Sequence, residues 1–64
     1  MLHMQIPTIK NLKIRRGDKL LSCTIQDQDS DMIMIEFEGD FHNLHRSNIK
    51  NGEVHEKHLE PIIL

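Results

Sequence analysis

The chain has 64 residues, which is enough for one small domain, and its formal net charge is −2. Its single cysteine, Cys23, excludes an intrachain disulfide, and no apolar run reaches the roughly 20 residues of a membrane-spanning helix. Only 3% of the residues are aromatic, so base stacking cannot dominate any contact with nucleic acid. We therefore expect a cytoplasmic protein without a membrane partner.

The N-terminal part of the chain predicts two strands. Residues 1–6 alternate loosely and end at Pro7, which has no N–H to donate to a sheet. Residues 8–14 alternate more clearly and place Leu12 and Ile14 on one face. The Gly-Asp pair at 17–18 then predicts a turn.

The longest apolar run, Met32–Phe37, predicts the strand around which the domain is built. Its length suits a strand, since a helix needs about ten residues or more. The best partner is residues 19–25, and the polar segment 26–31 between them is rich in turn-forming side chains. The three segments together predict an antiparallel hairpin.

The C-terminal third predicts a fifth strand over 41–46 and a short helical segment. Ser47 is a candidate helix cap, and residues 55–60 are predicted to form one or two helical turns before Pro61. The predicted fold is a single small all-β domain over residues 1–64, with five short strands and this C-terminal helical segment. A domain of this size buries little core, so oligomerisation is the expected source of added stability.

Neither a metal site nor a catalytic site is predicted. Two His-x-x-His pairs invite comparison with zinc ligands, but on a strand His42 and His45 would point to opposite faces, and structural zinc sites made only of histidine are uncommon. The Asp-x-Asp-x-Asp spacing of residues 27–31 lacks the glycine and the distal glutamate of a calcium loop. We expect no cofactor and no enzymatic activity. The histidines concerned are His42, His45, His55 and His58.

Charge is distributed unevenly along the chain. Residues 1–20 carry five basic and one acidic side chain (+4), residues 21–40 carry six acids (−6), and residues 41–64 carry three of each sign. The basic cluster at Lys13, Arg15 and Arg16 could contact phosphate, or could simply balance the acidic middle. Arg46 could reach a phosphate or a guanine edge, or could form an ion pair with Glu36, Glu38 or Asp40.

Several short motifs resemble the carbon storage regulator (CsrA/RsmA) family, whose members are small RNA-binding homodimers that control translation. The chain begins Met1-Leu2, has the Gly-Asp turn at 17–18, and carries Leu44-His45-Arg46-x-x-Ile49 at a similar distance from that turn. It departs from the family at residues 4–7, where Met-Gln-Ile-Pro replaces Leu-Thr-Arg-Arg.

The resemblance implies an intertwined homodimer that binds single-stranded GGA-type loops of an mRNA leader or a small RNA. A protein antagonist is a further possible partner. Arg46 maps onto the RNA-contacting arginine of the family motif, and Arg15 and Arg16 would assist it. The remaining RNA-binding residues implied by the resemblance are His45, Leu44, Met4 and Gln5.

Two other functions fit the sequence. A monomeric SH3-like or Tudor-like barrel could act as a protein-interaction module, although scarce aromatic residues argue against an aromatic-lined groove. A small inhibitor of the phage or mobile-element type could instead mimic an acidic ligand through residues 27–40. The oligomeric state separates the dimeric RNA-binding protein from the monomeric barrel.

Overall fold

The computed structural model describes residues 7–63, which form β-strands and two short 3₁₀-helices but no α-helix. The all-β class is therefore confirmed. Seven strands are present rather than the five predicted, and the C-terminal helical segment is one 3₁₀ turn. The strands are β1 (Lys13–Arg16), β2 (Lys19–Ser22), β3 (Thr24–Gln28), β4 (Met32–Phe37), β5 (Asp40–His45), β6 (Glu53–His55) and β7 (Glu60–Pro61). The 3₁₀-helices span Arg46–Asn48 and Glu56–His58.

The strands form two sheets. Sheet A has the order β2-β1-β6, with β1 antiparallel to β2 and parallel to β6. Sheet B has the order β3-β4-β5-β7 and is antiparallel throughout. No helix within residues 7–63 has the length and apolar character needed to cross a membrane.

One hydrophobic core lies between the two sheets. Sheet A contributes Ile14 and Val54, and sheet B contributes Ile33, Ile35 and Leu44, all of which are essentially inaccessible to solvent. Leu12 and Phe37 complete the buried cluster. The predicted shared face of Leu12 and Ile14 is therefore confirmed. In β4, buried and more exposed side chains alternate, because only the odd-numbered side chains face the core.

The predicted central hairpin is partly correct, because β4 pairs with β3, which shares only Thr24 and Ile25 with the predicted partner strand over 19–25. Its turn is shorter than predicted, because β3 continues to Gln28. A bulge at Gln26 interrupts the register between Ile25 and Asp27, so the side chain of Gln28 returns to the inner side of the sheet. There its amide donates to the carbonyl oxygen of Ile9 and accepts the N–H of Ile9, both at 3.0 Å.

The predicted strand over 19–25 is wrong, because the chain leaves sheet A and enters sheet B at Cys23. Leu21, Cys23 and Ile25 are all half-buried, so the inward alternation continues without a break across the corner. The Cys23 thiol donates to the carbonyl oxygen of Leu12 at 3.4 Å, and burial raises the pKa of this thiol. These contacts fit a structural role for the cysteine.

The two N-terminal predictions have different outcomes. The strand predicted over residues 1–6 lies outside the described residues. The strand predicted over 8–14 is only partly correct, because β1 begins at Lys13 and residues 7–12 run as irregular chain. Part of this irregular segment is held by the side chain of Gln28 through its bonds to Ile9, instead of by a neighbouring strand.

Candidate functional site

An open groove of about 360 Å³ lies beside β6 on the outer side of sheet A. Its walls are polar and mainly basic, and they come from β1, from the two 3₁₀-helices and from the segment between these helices, which includes β6. We call this site the basic groove. Its lining residues are Arg15, Ser47, Asn48, Lys50, Asn51, Glu53, His55, Lys57 and His58.

A tight hairpin brings most of these side chains together. Lys50 and Glu53 exchange backbone hydrogen bonds of 2.9 and 3.1 Å around Asn51 and Gly52, which both have positive φ angles. Asn-Gly suits this two-residue turn, because both central positions need left-handed backbone. The hairpin leads directly into β6, which places His55 opposite Arg15 in the parallel pair.

Arg15 and Arg16 pair with different glutamates, because neighbouring residues on β1 point to opposite sides of the sheet. The guanidinium of Arg15 donates from Nε and a terminal nitrogen to the two carboxylate oxygens of Glu53, at 2.5 and 3.2 Å. Arg16 donates from Nε to Glu56 at 2.9 Å on the other side of the sheet. The hydrogen bond from Arg15 lowers the pKa of Glu53.

Arg16 is itself enclosed by several partners. Its terminal nitrogens donate to both carboxylate oxygens of Glu38, and its guanidinium lies 5.5 Å from the centre of the Phe37 ring. The hydrogen bond from Arg16 also lowers the pKa of Glu38. Because its donors are directed to Glu38 and Glu56, Arg16 is poorly placed to bind an external phosphate.

Among the described residues, the lysines of the basic groove have no carboxylate partner. None of the ion pairs found in residues 7–63 involves Lys50 or Lys57. Three cationic side chains line the groove against the single carboxylate of Glu53, which leaves two positive charges in excess. This local excess stands out in a chain with a net charge of −2.

The histidines of the groove supply further hydrogen-bond donors. His55 caps the second 3₁₀-helix, where its Nδ1 accepts the backbone N–H of Lys57 at 3.1 Å. An acceptor at Nδ1 assigns the proton of the neutral ring to Nε2, and His55 is exposed. Neutral His55 can therefore donate to an anion without losing its structural bond.

Within residues 7–63 of one chain, the residues assigned by the family resemblance do not line a single groove. Arg15 lines the basic groove, whereas Arg16 lies on the other side of β1. His45 is exposed and lies 3.6 Å from a carboxylate oxygen of Glu60. Leu44 is fully buried in the core, so its side chain can only support a surface from beneath. Met4 and Gln5 lie outside the described residues.

Arg46 holds three segments of the fold together. Its Nε donates to the carbonyl oxygen of Asp29 at 2.6 Å, and a terminal nitrogen donates to Oε1 of Gln28 at 2.7 Å. Its backbone N–H donates to the carbonyl oxygen of Asp31 at 2.8 Å. Since Gln28 also binds Ile9, Arg46 fastens the β3–β4 turn and the N-terminal segment to the end of β5. Arg46 forms no ion pair with Glu36, Glu38 or Asp40, the carboxylates predicted as its alternative partners.

Ser47 was predicted as a helix cap, but the first 3₁₀-helix begins at Arg46, one residue earlier. The residue at the cap position is His45, which makes no capping hydrogen bond through its side chain. Ser47 lies inside the helix and lines both the basic groove and a neighbouring cavity beside Arg46.

The predicted divergence of the first histidine pair is confirmed. His42 is half-buried with its Nδ1 inaccessible to solvent, whereas His45 is exposed on the opposite side of β5. Within residues 7–63, no three His, Cys, Asp or Glu side chains cluster closely enough to hold a metal ion.

Sequence reasoning missed most of the basic groove. The groove side chains that sequence reasoning did not single out lie between residues 47 and 58. This segment has two lysines and two glutamates, so it has no excess of positive charge in the sequence. The available signal was the Asn-Gly hairpin at 51–52, which places Lys50 and Lys57 on the two sides of one tight turn.

Searches of protein-family models, curated protein sequences and solved structures give no significant match to the chain. The functional argument therefore depends on the geometry and charge of the groove.

Proposed function

We propose that this protein binds single-stranded RNA through the basic groove. The observation that carries the proposal concerns Lys50 and Lys57, which have no carboxylate partner within residues 7–63, whereas Arg15 and Arg16 pair with the nearby glutamates. Uncompensated cations that converge on one open groove attract phosphates, and RNA presents phosphates at regular spacing along a flexible strand.

The chemistry of the groove favours contacts to the RNA backbone. Lys50 and Lys57 would bind phosphate oxygens, and the side chains of Asn48, Asn51 and His55 would donate hydrogen bonds to phosphate, sugar or base edges. No Phe lines the groove, so stacking is limited to the imidazole rings. We therefore expect weak, salt-sensitive binding with little sequence preference.

The family resemblance motivates RNA as the first ligand to test, but it implies a different site. A site of the CsrA type would use Arg46 in an intertwined homodimer and would select GGA loops. The groove proposal needs one chain only and uses Lys50 and Lys57. The dimer, the GGA preference and the role of Arg46 stay predictions, and the experiment below separates them from the groove.

Fluorescence anisotropy with labelled RNA tests the proposal. The probes are a hairpin with a GGA-containing loop and a single-stranded uridine oligomer of the same length. The double variant Lys50→Ala/Lys57→Ala should weaken binding to both probes about tenfold. For the unmodified protein, two phosphate contacts predict that affinity falls about sevenfold between about 50 and 200 mM salt, and this dependence should be lost in the variant.

Two control variants test whether the loss of binding is specific to the basic groove. Lys10→Ala/Lys19→Ala removes the same charge from exposed positions outside the groove and should leave the affinity nearly unchanged. Arg46→Ala should likewise retain binding if the groove is the site. A loss confined to Arg46→Ala, together with a clear preference for the GGA probe, would replace the groove with the site that the family resemblance implies.

A further inference from the structure

The outer face of sheet B carries apolar and acidic side chains, in contrast to the basic groove. Side chains of β4 alternate, so Met32, Met34 and Glu36 face outward while their neighbours enter the core. Met32 and Met34 remain half-exposed, and Phe41, which pairs with Glu36, is 37% exposed. A shallow cavity of about 150 Å³ lies beside these methionines. It is lined by Asp27, Gln28, Asp29, Met32, Met34 and Asn43.

Carboxylates lie beside these apolar side chains, and that of Asp29 also lies within range of the charge of Arg46. Asp27 is opposite Met34 in the β3–β4 pair, and Glu36 lies between Thr24 and Phe41. None of the ion pairs within residues 7–63 involves Asp27, Asp29 or Glu36. We call this surface, defined by Met32, Met34 and Phe41 with these three acids, the acidic methionine face.

We infer that the acidic methionine face docks a basic amphipathic segment of another protein. Methionine side chains are flexible and polarisable, so they adapt to apolar side chains of varied shape. Carboxylates around them select lysine and arginine at the rim of the contact. This inference concerns a different surface and a different partner from the RNA proposal, and neither depends on the other.

Charge complementarity also argues against other occupants. Nucleic acid and anionic lipid surfaces would meet carboxylates, which repel them. A second copy bound face to face would oppose acids to acids, which is unfavourable. A second copy bound through its basic groove would match charge but would place polar walls against Met32, Met34 and Phe41.

Methyl NMR on the full chain provides the test, with ¹³C label in the methionine methyl groups. The probe is a synthetic amphipathic helix of leucine and lysine, compared with a leucine and glutamate peptide of the same apolar pattern and with an unpatterned glycine and lysine peptide. The methyl signals of Met32 and Met34 should shift saturably with the leucine and lysine peptide alone. Sedimentation of the free protein at the same concentration shows whether self-association contributes.

Variants separate charge selection from general adhesion. Asp27→Asn/Glu36→Gln should weaken binding of the leucine and lysine peptide about fivefold, as expected for the loss of two exposed charge contacts. Asp18→Asn/Asp40→Asn removes the same charge elsewhere and should change affinity little. Amide spectra of each variant report whether the fold is retained.

The inference is overturned by any of three results. The first is the absence of saturable shifts at about 0.2 mM peptide, where even a weak specific contact is populated. The second is an equal response to the leucine and glutamate peptide. The third is an affinity that the Asp27→Asn/Glu36→Gln variant leaves unchanged while its fold is retained.

Discussion

At the scale of single residues, the ion pairs of Arg15 and Arg16 determine which charged side chains on the surface are left to bind a ligand. They are adjacent in the chain, but Arg15 pairs with Glu53 and Arg16 pairs with Glu38 and Glu56. These exposed pairs contribute little to stability. Their main consequence is electrostatic, because they remove the nearby carboxylates that would otherwise pair with the lysines of the basic groove.

Asp29 provides a pH-dependent test at this scale. Its Oδ1 accepts the backbone N–H groups of Asp31 and Met32, both at 2.8 Å, and these bonds hold its pKa below the ordinary value of 3.8. A carboxyl with a lowered pKa stabilises the fold fully above its ordinary pKa. That contribution is lost as the pH falls below 3.8 and through the lower value of the folded state.

Urea unfolding of the parent and of Asp29→Asn between about pH 5 and pH 2 measures this contribution. Asparagine keeps an oxygen acceptor but does not titrate in this range. We expect the parent to lose stability on acidification more steeply than Asp29→Asn. Parallel pH profiles for the two proteins would show that the turn does not depend on the charge of Asp29.

At the scale of elements, the turn between β4 and β5 shows how local backbone limits the sequence. Glu38 and Gly39 have φ angles of 52° and 85°, and Phe37 pairs with Asp40 around them. Left-handed backbone at both positions suits a two-residue hairpin. A Cβ added at Gly39 would meet no atom within 4 Å, so any cost of adding it comes from the backbone alone.

Gly39→Ala should therefore lower the free energy of unfolding by about 1 kcal/mol. Urea unfolding measures the change, and Ser30→Ala, at an exposed position without positive φ, serves as the control. A synthetic chain with D-alanine at position 39 is the sharper comparison, because D-alanine prefers positive φ. Equal destabilisation by both enantiomers of alanine would contradict the backbone explanation.

Local patterns predicted the elements that are formed by neighbouring residues. The short apolar run Met32–Phe37 identified β4, and the polar segment before it indicated a hairpin, but the buried face of β4 was not predicted. The corner at Cys23 could not be found, because inward alternation runs unbroken from Leu21 to Ile25 while the chain changes sheet.

Non-local contacts explain the rest of what the sequence did not predict. β6 and β7 are three and two residues long, too short to show a period of their own. β6 forms only because it pairs with β1, which lies far away in the chain. The basic groove depends on this pairing, since Arg15 meets Glu53 and His55 only in the folded domain.

At the scale of the whole molecule, the two sheets carry opposite charge on their outer faces. Lys13, Arg15 and His55 lie on the outer side of sheet A, whereas Asp27 and Glu36 lie on the outer side of sheet B. The uneven charge along the chain thus becomes a separation in space. Such a molecule can attract an anionic ligand to one face and a cationic partner to the other.

The most direct test of the central claim is an NMR titration of the ¹⁵N-labelled chain with single-stranded RNA. The basic groove predicts that the largest amide shifts fall at Arg15 and across residues 47–58, with little change on β3 and β4. Shifts centred on His45, Arg46 and the turn at residues 29–31 would contradict this account, as would the absence of any shift at low salt.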